Sequence, residues 1–410
     1  MRFLLCLLPC SLLAQPSPNF RVEVVDNQIS IGYGLAIGDV DGDRLPDILL
    51  ADQREIVWYK NPGGRRSDGR HSDGRRSGAT PTNSGISRWT RYVMARNLTP
   101  QDNVCIAARD LDGDGRVEVA VGAGWNPAET TDSTKSGAVF YLIRPNDATQ
   151  LWEPVRLPHE VTTHRMRWVR TSRTNYQLVV MPLHGLGNKN RGDGPGADRG
   201  VRVWGYELPK NPRSRWKQHL VDSTMHLTHN FEVWEDGNNT NLMLGGKEGS
   251  KIVKWEAGRW LPVEALFHKA GASTMQDIGE IRRGNTGRFV AAVQPMHGNR
   301  LVAYGPNEKR DTLSTTLNQG HALLCADWLG TGRDQIVVGW RNPNVEGKVG
   351  TRLFRQEANG KWTEFPIDDS IRMACEDMQT ADLDGDGDLD LIASGRATLN
   401  VLIYWNERVR

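Results

Sequence analysis

Residues 34–51 read GLAIGDVDGDRLPDILLA, an acidic turn between two short apolar segments. The acidic part, Asp-x-Asp-Gly-Asp at 39–43, recurs at 110–114 and at 382–386, each time between apolar segments. Short apolar runs of this kind are typical of buried strands, and glycine among the acidic residues favours a tight turn. Each copy therefore predicts two strands joined by an acidic loop.

Weaker copies of this strand–turn–strand pattern fill the interval between the second and third acidic loops. They run over 164–180, 229–245, 274–292 and 321–339, and they bring the count to seven units. The spacing from Asp39 to Asp382 over six intervals is about 57 residues per unit, enough for four strands and their connections. This repeat length is typical of a propeller blade with long loops.

A second repeated element supplies an outer strand for most units. Five tryptophans each open a short alternating segment ahead of the next unit: Trp89, Trp152, Trp216, Trp260 and Trp362. The last unit has no such segment, whereas residues 20–25, FRVEVV, alternate and have no other partner. The sequence therefore predicts an all-β fold, one seven-bladed β-propeller over 15–410, closed by the N-terminal strand pairing into the last blade.

Two segments do not fit the strand pattern. Residues 1–14 combine a positive start, an apolar run and a small residue at Ala14, which predicts a signal peptide and a secreted or periplasmic protein. Residues 63–87 are polar and arginine-rich, which predicts a disordered loop inserted in the first blade. The net charge of +2 favours no nucleic-acid partner, and no later stretch is apolar enough for a membrane span. The oligomeric state stays open.

The acidic loops have the composition of calcium sites. Calcium takes about six to eight oxygen ligands, and alternate aspartates around a glycine bring several carboxylates to one point. The expected ligands are Asp39, Asp41, Asp43 and Asp47; Asp110, Asp112, Asp114 and Glu118; and Asp382, Asp384, Asp386 and Asp390. The sixth loop has Leu329, Thr331 and Gln335 at matching positions, so we expect it to lack the ion. The calcium would be structural, because carboxylates fill its coordination sphere.

These loops resemble the FG-GAP/VCBS repeats of integrin α-subunit propellers and of many secreted bacterial proteins. The resemblance covers nearly the whole chain after residue 14. It implies that each acidic loop joins the first and second strands of a blade and binds calcium at the lower face of the propeller.

Histidines recur at the opposite end of the predicted first strands. Counting back from each second strand aligns Tyr33, His164, His229, His321 and Glu376. The far ends of the second strands return to the same face with Trp125, His184, Lys247, His297, Trp340, Arg341 and Arg396. Because the first strand of a blade lines the central channel, we expect these side chains to surround one mouth of it. Imidazoles in such number suit Zn²⁺ or another divalent metal, and also a general base near neutral pH.

The phrases around these histidines resemble the propeller domain of aldos-2-ulose dehydratase/isomerase and its bacterial relatives. They are THRMRW at 163–168, LTHNF at 227–231, QPMHGN at 294–299 and the pair HAL at 321–323 with GWR at 339–341. The resemblance implies dehydration of a keto-sugar such as 1,5-anhydrofructose with a divalent metal. This chain lacks the C-terminal cupin domains of the fungal enzyme.

The first hypothesis is accordingly a secreted, metal-dependent carbohydrate lyase that abstracts the proton α to a ketone and eliminates water. Its candidate catalytic residues are His164, His229, His321, His184, His297 and Glu376, and its candidate substrate-binding residues are Trp125, Lys247, Trp340 and Arg341. The alternative is a non-catalytic, calcium-stabilised propeller that binds glycans or a protein partner. A hydrolase with a carboxylate pair, Glu248 and Glu376, also stays open, whereas no Gly-x-Ser-x-Gly nucleophile motif is present.

Overall fold

The computed structural model describes residues 17–63, 88–188, 199–237, 239–263, 277–285, 288–305, 309–370 and 372–408. All regular structure in these ranges is β-strand. The predicted signal peptide and residues 64–87 of the predicted insert lie outside them. Within the described ranges, no helix has the length and apolar character that crossing a membrane would require.

Twenty-eight strands form seven four-stranded antiparallel sheets, the blades. Blade 1 contains, from the inside outward, β2 (Gly34–Gly38), β3 (Asp47–Ala51), β4 (Glu55–Lys60) and β5 (Thr90–Arg96). Blade 2 contains, in the same order, β6 (Cys105–Arg109), β7 (Glu118–Ala123), β8 (Ala138–Ile143) and β9 (Glu153–Leu157). Blade 3 contains β10 (Thr163–Arg170), β11 (Tyr176–Pro182), β12 (Val203–Glu207) and β13 (Lys217–Asp222). Blades 4 and 5 contain β14 (Thr228–Asp236), β15 (Asn239–Gly246), β16 (Gly249–Glu256) and β17 (Arg259–Val263); and β18 (Ile281–Arg283), β19 (Val290–Gln294), β20 (Arg300–Tyr304) and β21 (Arg310–Ser314). Blade 6 contains β22 (Gly320–Ala326), β23 (Gln335–Trp340), β24 (Thr351–Gln356) and β25 (Trp362–Asp368).

Blade 7 closes the ring with strands from both ends of the chain. It contains β26 (Cys375–Ala381), β27 (Asp390–Gly395) and β28 (Asn400–Asn406), and β1 (Phe20–Asp26) pairs antiparallel with β28 from Phe20↔Asn406 onward. The first strands of neighbouring blades contact one another all around the channel. The predicted seven-bladed, N-terminally closed propeller is therefore confirmed. In blade 5, residues 264–276 lie outside the described ranges, and the first strand there begins at Ile281 rather than at 274.

The hydrophobic core lies between adjacent blades rather than inside one sheet. The second strands β3, β7, β23 and β27 are buried along their whole length, which explains their uninterrupted apolar runs. One cluster joins Leu49 and Trp58 of blade 1 to Val119 and Phe140 of blade 2. Each blade thus buries both of its faces against its neighbours, and this packing fixes the direction of the first strands toward the channel.

Two asparagines connect blades at the face that carries the acidic loops. Asn61 follows β4, and its side-chain amide donates to the carbonyl of Leu383 in blade 7 at 2.9 Å. Asn406 ends β28 and donates in the same way to the carbonyl of Trp328 in blade 6 at 2.8 Å. Their backbone N–H groups donate to the carboxylates of Asp47 and Asp390, so each asparagine ties an acidic loop to the preceding blade.

We expect Asn406→Ala to lower the free energy of unfolding by roughly 2–3 kcal/mol, because it leaves two buried carbonyl groups without their donor. Urea unfolding measures the change. The matched control is Asn146→Ala on the exposed side of the turn after β8, with an expected effect below about 0.5 kcal/mol. Equal effects of the two substitutions would contradict the interblade role.

Cys105 and Cys375 are buried free thiols. Burial raises the pKa of Cys105 to about 12 and that of Cys375 well above its ordinary value. Because the thiolate is the reactive species, we expect both to resist alkylation by iodoacetamide in the native protein and to react fully in denaturant. Peptide mass spectrometry measures both states, and rapid native labelling of either residue would contradict the packing.

Candidate functional site

The first strand of every blade begins at the same mouth of the channel and places one residue there. From blade 1 to blade 7 this inner ring contains Tyr33, Val104, His164, His229, Glu280, His321 and Glu376. In blades 3, 4, 6 and 7 the ring residue is the extra residue of a β-bulge at the start of β10, β14, β22 and β26. A bulge takes its extra residue out of the normal strand pairing and re-aims the side chain. Bulges therefore recur at the four ring positions that carry histidine or Glu376.

An outer ring comes from the turns after the second strands. It contains Trp125, His184, Lys247, His297, Arg341 and Arg396, from blades 2 to 7 in order. These residues line one cavity of about 470 Å³ together with Tyr33, His164, His321 and Glu376 of the inner ring. His229 is fully buried directly behind His297. The structure thus brings together ten of the residues that the sequence placed at the channel mouth.

Backbone carbonyl groups orient the inner-ring histidines. The Nδ1 atom of His164 lies 3.0 Å from the carbonyl oxygen of His229, that of His229 lies 3.0 Å from Gly279 O, and that of His321 lies 2.6 Å from Glu376 O. A carbonyl oxygen can only accept, so each Nδ1 carries the proton. Each Nε2 therefore keeps its lone pair available for a ligand.

Three of the histidines form a compact cluster of nitrogen donors. Ring nitrogens of His229, His297 and His321 all lie within 4.8 Å of one another, and Nε2 of His229 is 2.7 Å from Nε2 of His297. Burial, then the neighbouring His229 and Arg341, lower the pKa of His297 to about 2, and burial holds that of His321 well below its ordinary value. The cluster is accordingly neutral near physiological pH. His164 stands beside it, with its ring centroid 4.7 Å from that of His229.

Glu376 is an acidic residue of the cavity wall, and its Oε1 lies 3.9 Å from Nδ1 of His321. Arg341 holds Glu376 through contacts of 2.7 and 3.1 Å, and Arg396 lies 3.5 Å away. Burial raises the pKa of Glu376 above its ordinary value, even though both guanidinium groups oppose the shift. This carboxyl group is thus better suited to hold a proton than an exposed glutamate.

Sequence reasoning missed Glu280, which is fully buried in the inner ring of blade 5. Its Oε1 lies 3.2 Å from Nδ1 of His229, and Asn230 donates to its other oxygen. Fewer residues separate Glu280 from Phe289, just before β19, than separate the ring residues of the other blades from their second strands. The reason is that the loop of blade 5 is short. Counting back a constant number of residues from the second strand therefore missed Glu280. Its position just before Ile281, the first residue of the inner strand, was a usable signal for a ring residue.

Trp340 does not line the cavity, so its predicted role in stacking on a substrate is not supported. Its ring is fully buried in the core between β23 and its neighbours, where it donates to Lys348 O at 3.0 Å and lies under the guanidinium of Arg352. Trp340 is the last residue of β23 and packs into this core, whereas Arg341 is the first residue of the following turn and reaches the cavity. Trp125, in contrast, lines the cavity and stacks on His164 with 5.1 Å between ring centroids.

The acidic loops lie at the other face and share one geometry. The first aspartate of each accepts at least two backbone N–H groups of its own loop. The last acid accepts the N–H of the second loop residue, as Asp47 does from Val40 at 2.9 Å. Nine of the twelve predicted ligands form three close groups: Asp39, Asp41 and Asp43; Asp110, Asp112 and Glu118; Asp382, Asp384 and Asp390. Asp114 instead pairs with Arg116 and Arg144, Asp47 is held by Val40 and Asn61, and Asp386 lies outside the third group.

The first two acidic loops match a known repeat family. Residues 39–121 match the family model of the FG-GAP-like repeat. The match spans the first two acidic loops and the second strands that follow them. No curated protein sequence matches the chain significantly. The narrower resemblance to the aldos-2-ulose dehydratase/isomerase propeller therefore stays a prediction.

Solved structures support the fold alone. BBS1N in complex with ARL6DN is 14% identical, with a TM-score of 0.52 over 97% of this chain and 99% of that chain. The Dos1 propeller is 9% identical, with a TM-score of 0.51 over 90% and 77% of the two chains. The extracellular domain of the one-component system BT4673 from B. thetaiotaomicron is 9% identical, with a TM-score of 0.51 over 94% of this chain and 39% of that chain.

The sixth loop keeps the turn with an amide in place of the last carboxylate. Gln335 Oε1 accepts the N–H of Leu329, the third residue of its loop, at 3.0 Å, whereas the last acid of the acidic loops accepts the N–H of the second residue. Its Nε2 donates to the carbonyl of Arg333 and lies 3.4 Å from Asp327. An internal N–H donor therefore occupies the part of this loop where the other loops present only oxygen atoms.

Proposed function

We propose that the channel mouth is the active site of an exported, metal-dependent lyase that removes water from a keto-sugar. The observation that carries this proposal is the cluster of three neutral imidazoles, with ring nitrogens of His229, His297 and His321 within 4.8 Å of one another at a cavity. A surface that only binds a partner has no need for converging imidazole lone pairs. The charge pattern of residues 1–14 supports export.

The donor set fits a zinc ion or a similar divalent cation. Imidazole nitrogens are common zinc ligands, and three protein ligands with one open side are typical of catalytic rather than structural zinc. Hydrogen bonds from Nδ1 to a carbonyl or carboxylate commonly orient such ligands, and His229 donates from Nδ1 to the carbonyl of Gly279, with the carboxylate of Glu280 3.2 Å from the same nitrogen. His297 and His321 line the cavity, which leaves the open side toward a substrate.

The remaining residues of the cavity support proton transfer. A bound divalent cation would supply polarisation of the substrate ketone and stabilisation of the negative charge that develops on its oxygen. His164 and His184 are the cavity imidazoles outside the cluster, and we assign His184 to take the proton from the carbon next to the ketone, because His164 is stacked on Trp125 and lies beside His229. Glu376 then gives a proton to the departing β-hydroxyl, so the products are an α,β-unsaturated ketone and water. Trp125 offers an indole face for the sugar ring.

The test is ultraviolet absorbance of 1,5-anhydrofructose and a panel of keto-sugars incubated with the protein, with and without zinc. We expect an enone band that needs zinc, is lost in His184→Gln, and persists in the control His159→Ala, in the connection between β9 of blade 2 and β10 of blade 3. A flat trace from folded, zinc-loaded protein would favour the second candidate. That candidate is a non-catalytic propeller binding glycans or a protein, as BBS1N forms a complex with ARL6DN.

We further propose that the acidic loops bind structural calcium. Their close carboxylates support this, as do the buried acids Asp47, Glu118 and Asp390, whose pKa values burial raises to about 7 when no cation balances them. In the first loop, the ammonium of Lys60 contacts Asp41 and Asp43. Calcium must displace this internal cation, so we expect the first site to be the weakest of the three.

A further inference from the structure

The cavity at the channel mouth carries an excess of positive charge. Four cationic side chains line it, Arg165, Lys247, Arg341 and Arg396, against the two carboxylates Asp277 and Glu376. The histidines of the wall do not change this net charge, because neutral imidazoles carry no charge. The divalent cation of the proposed function would add two further positive charges. A partly enclosed cavity with this balance favours an anionic ligand.

Two of the four cations already have partners. Arg341 is engaged by Glu376 at 2.7 and 3.1 Å. Arg165 lies deeper, where it donates to the carbonyl of His164 at 3.3 Å and stands 3.9 Å from Glu280. Neither guanidinium is free to provide a new ion pair at the rim without giving up a buried contact.

The other two cations face the opening. Lys247 is exposed at the rim of blade 4 and makes no ion pair with any described residue. Arg396 of blade 7 is 39% exposed, lies over the ring of Tyr33 at 5.4 Å, and shares Glu376 with Arg341 at the longer distance of 3.5 Å. The histidine cluster comes from blades 4 to 6. Lys247 lies in the same blade as His229, and Arg396 lies in blade 7, next to the blade of His321.

We propose that the substrate is an anionic keto-sugar, whose acidic group is bound at the rim by Lys247 with Arg396 supplying the second charge. This inference rests on the proposed lyase function and adds the class of its substrate. A volume of about 470 Å³ suits a monosaccharide that spans from the histidine cluster to the rim. A carboxylate and a phosphate ester share the required charge, and the test distinguishes them.

The experiment compares kcat/KM of the zinc-loaded protein for a ketogluconate, a ketose phosphate and a neutral keto-sugar. We expect at least a tenfold preference for one of the two anions, and which anion it is identifies the acidic group. Lys247→Met should reduce this preference about tenfold, and the double substitution with Arg396→Met should remove it. The controls Lys254→Met and Arg259→Met, outside the cavity, should leave the preference unchanged.

Calorimetric binding of the same compounds separates the two proposals. Turnover of the neutral sugar at equal or higher efficiency would overturn the anionic substrate and leave the lyase standing. If none of the compounds is turned over, the lyase proposal fails. Anion binding that is at least tenfold tighter than neutral-sugar binding, and that weakens in Lys247→Met, would still support the charged ligand. Equal binding of charged and neutral sugars would overturn it.

Discussion

Replacing His229 with alanine is expected to lower the zinc affinity of the channel mouth by about 100-fold or more and to abolish turnover. Loss of a residue that only supports a metal ligand typically costs about 10–100-fold in affinity, and the loss of a ligand should cost at least as much. His229 is fully buried, and its Nε2 lies 2.7 Å from that of His297. Alanine therefore leaves a hole that no neighbouring nitrogen fills.

Competition with a chromogenic chelator measures the affinity, and elemental analysis gives the zinc content. Because a buried histidine also contributes to packing, Glu280→Gln serves as a second variant that keeps the ring and changes only its carboxylate neighbour. We expect roughly a tenfold loss of affinity there, with a melting temperature close to that of the unchanged protein. His159→Ala is the control for loss of an imidazole elsewhere. Unchanged zinc binding in His229→Ala would exclude the assigned cluster.

Removal of calcium is expected to cause the largest loss of stability. Each site saturated at a hundredfold excess over its dissociation constant stabilises the folded state by about 2.7 kcal/mol, so three sites contribute about 8 kcal/mol. The acidic groups at the second and seventh loops should account for most of this, because Lys60 already neutralises part of the first. Chelation with EGTA should accordingly lower the melting temperature markedly, and added calcium should restore it.

Differential scanning calorimetry at several calcium concentrations measures this effect, with magnesium as the ionic control. Asp384→Asn in the seventh loop should shrink the calcium-dependent increase in melting temperature. Asp327→Asn in the sixth loop should leave it unchanged, because Gln335 already places a donor there. A melting temperature independent of calcium would contradict the assignment of all three loops.

The blade count, the ring closure and the meeting of the histidines follow from patterns that a propeller repeats. The sequence contains seven strand pairs, five outer tryptophans and one unpaired N-terminal strand. A closed ring of seven blades is the arrangement that gives the N-terminal strand a partner in the last blade. The cluster itself is less predictable, because His229 and His321 lie at the starts of two first strands and His297 lies in a turn, in three different blades. Which nitrogen atoms converge depends on bulges, and no residue type marks a bulge in β10, β14 or β22.

The two site errors have different physical origins. Trp340 and Arg341 are neighbours in sequence, so only the point at which β23 ends decides which of them faces the channel. Glu280 was hidden by a loop whose length differs from that of the other blades. Asn61 and Asn406 had no distinguishing pattern at all, since a single amide that crosses between blades leaves no periodic signal.

The pairing of β1 with β28 also sets an order of events. Phe20 is synthesised early, whereas its partner Asn406 lies near the end of the sequence. Throughout synthesis, β1 therefore remains with an unpaired edge, and blade 7 cannot be completed before β28 is made. A chain interrupted anywhere before Asn400 would keep that edge open. Such a fragment would offer a ready strand to other copies, so completion of the ring and protection from aggregation coincide in time.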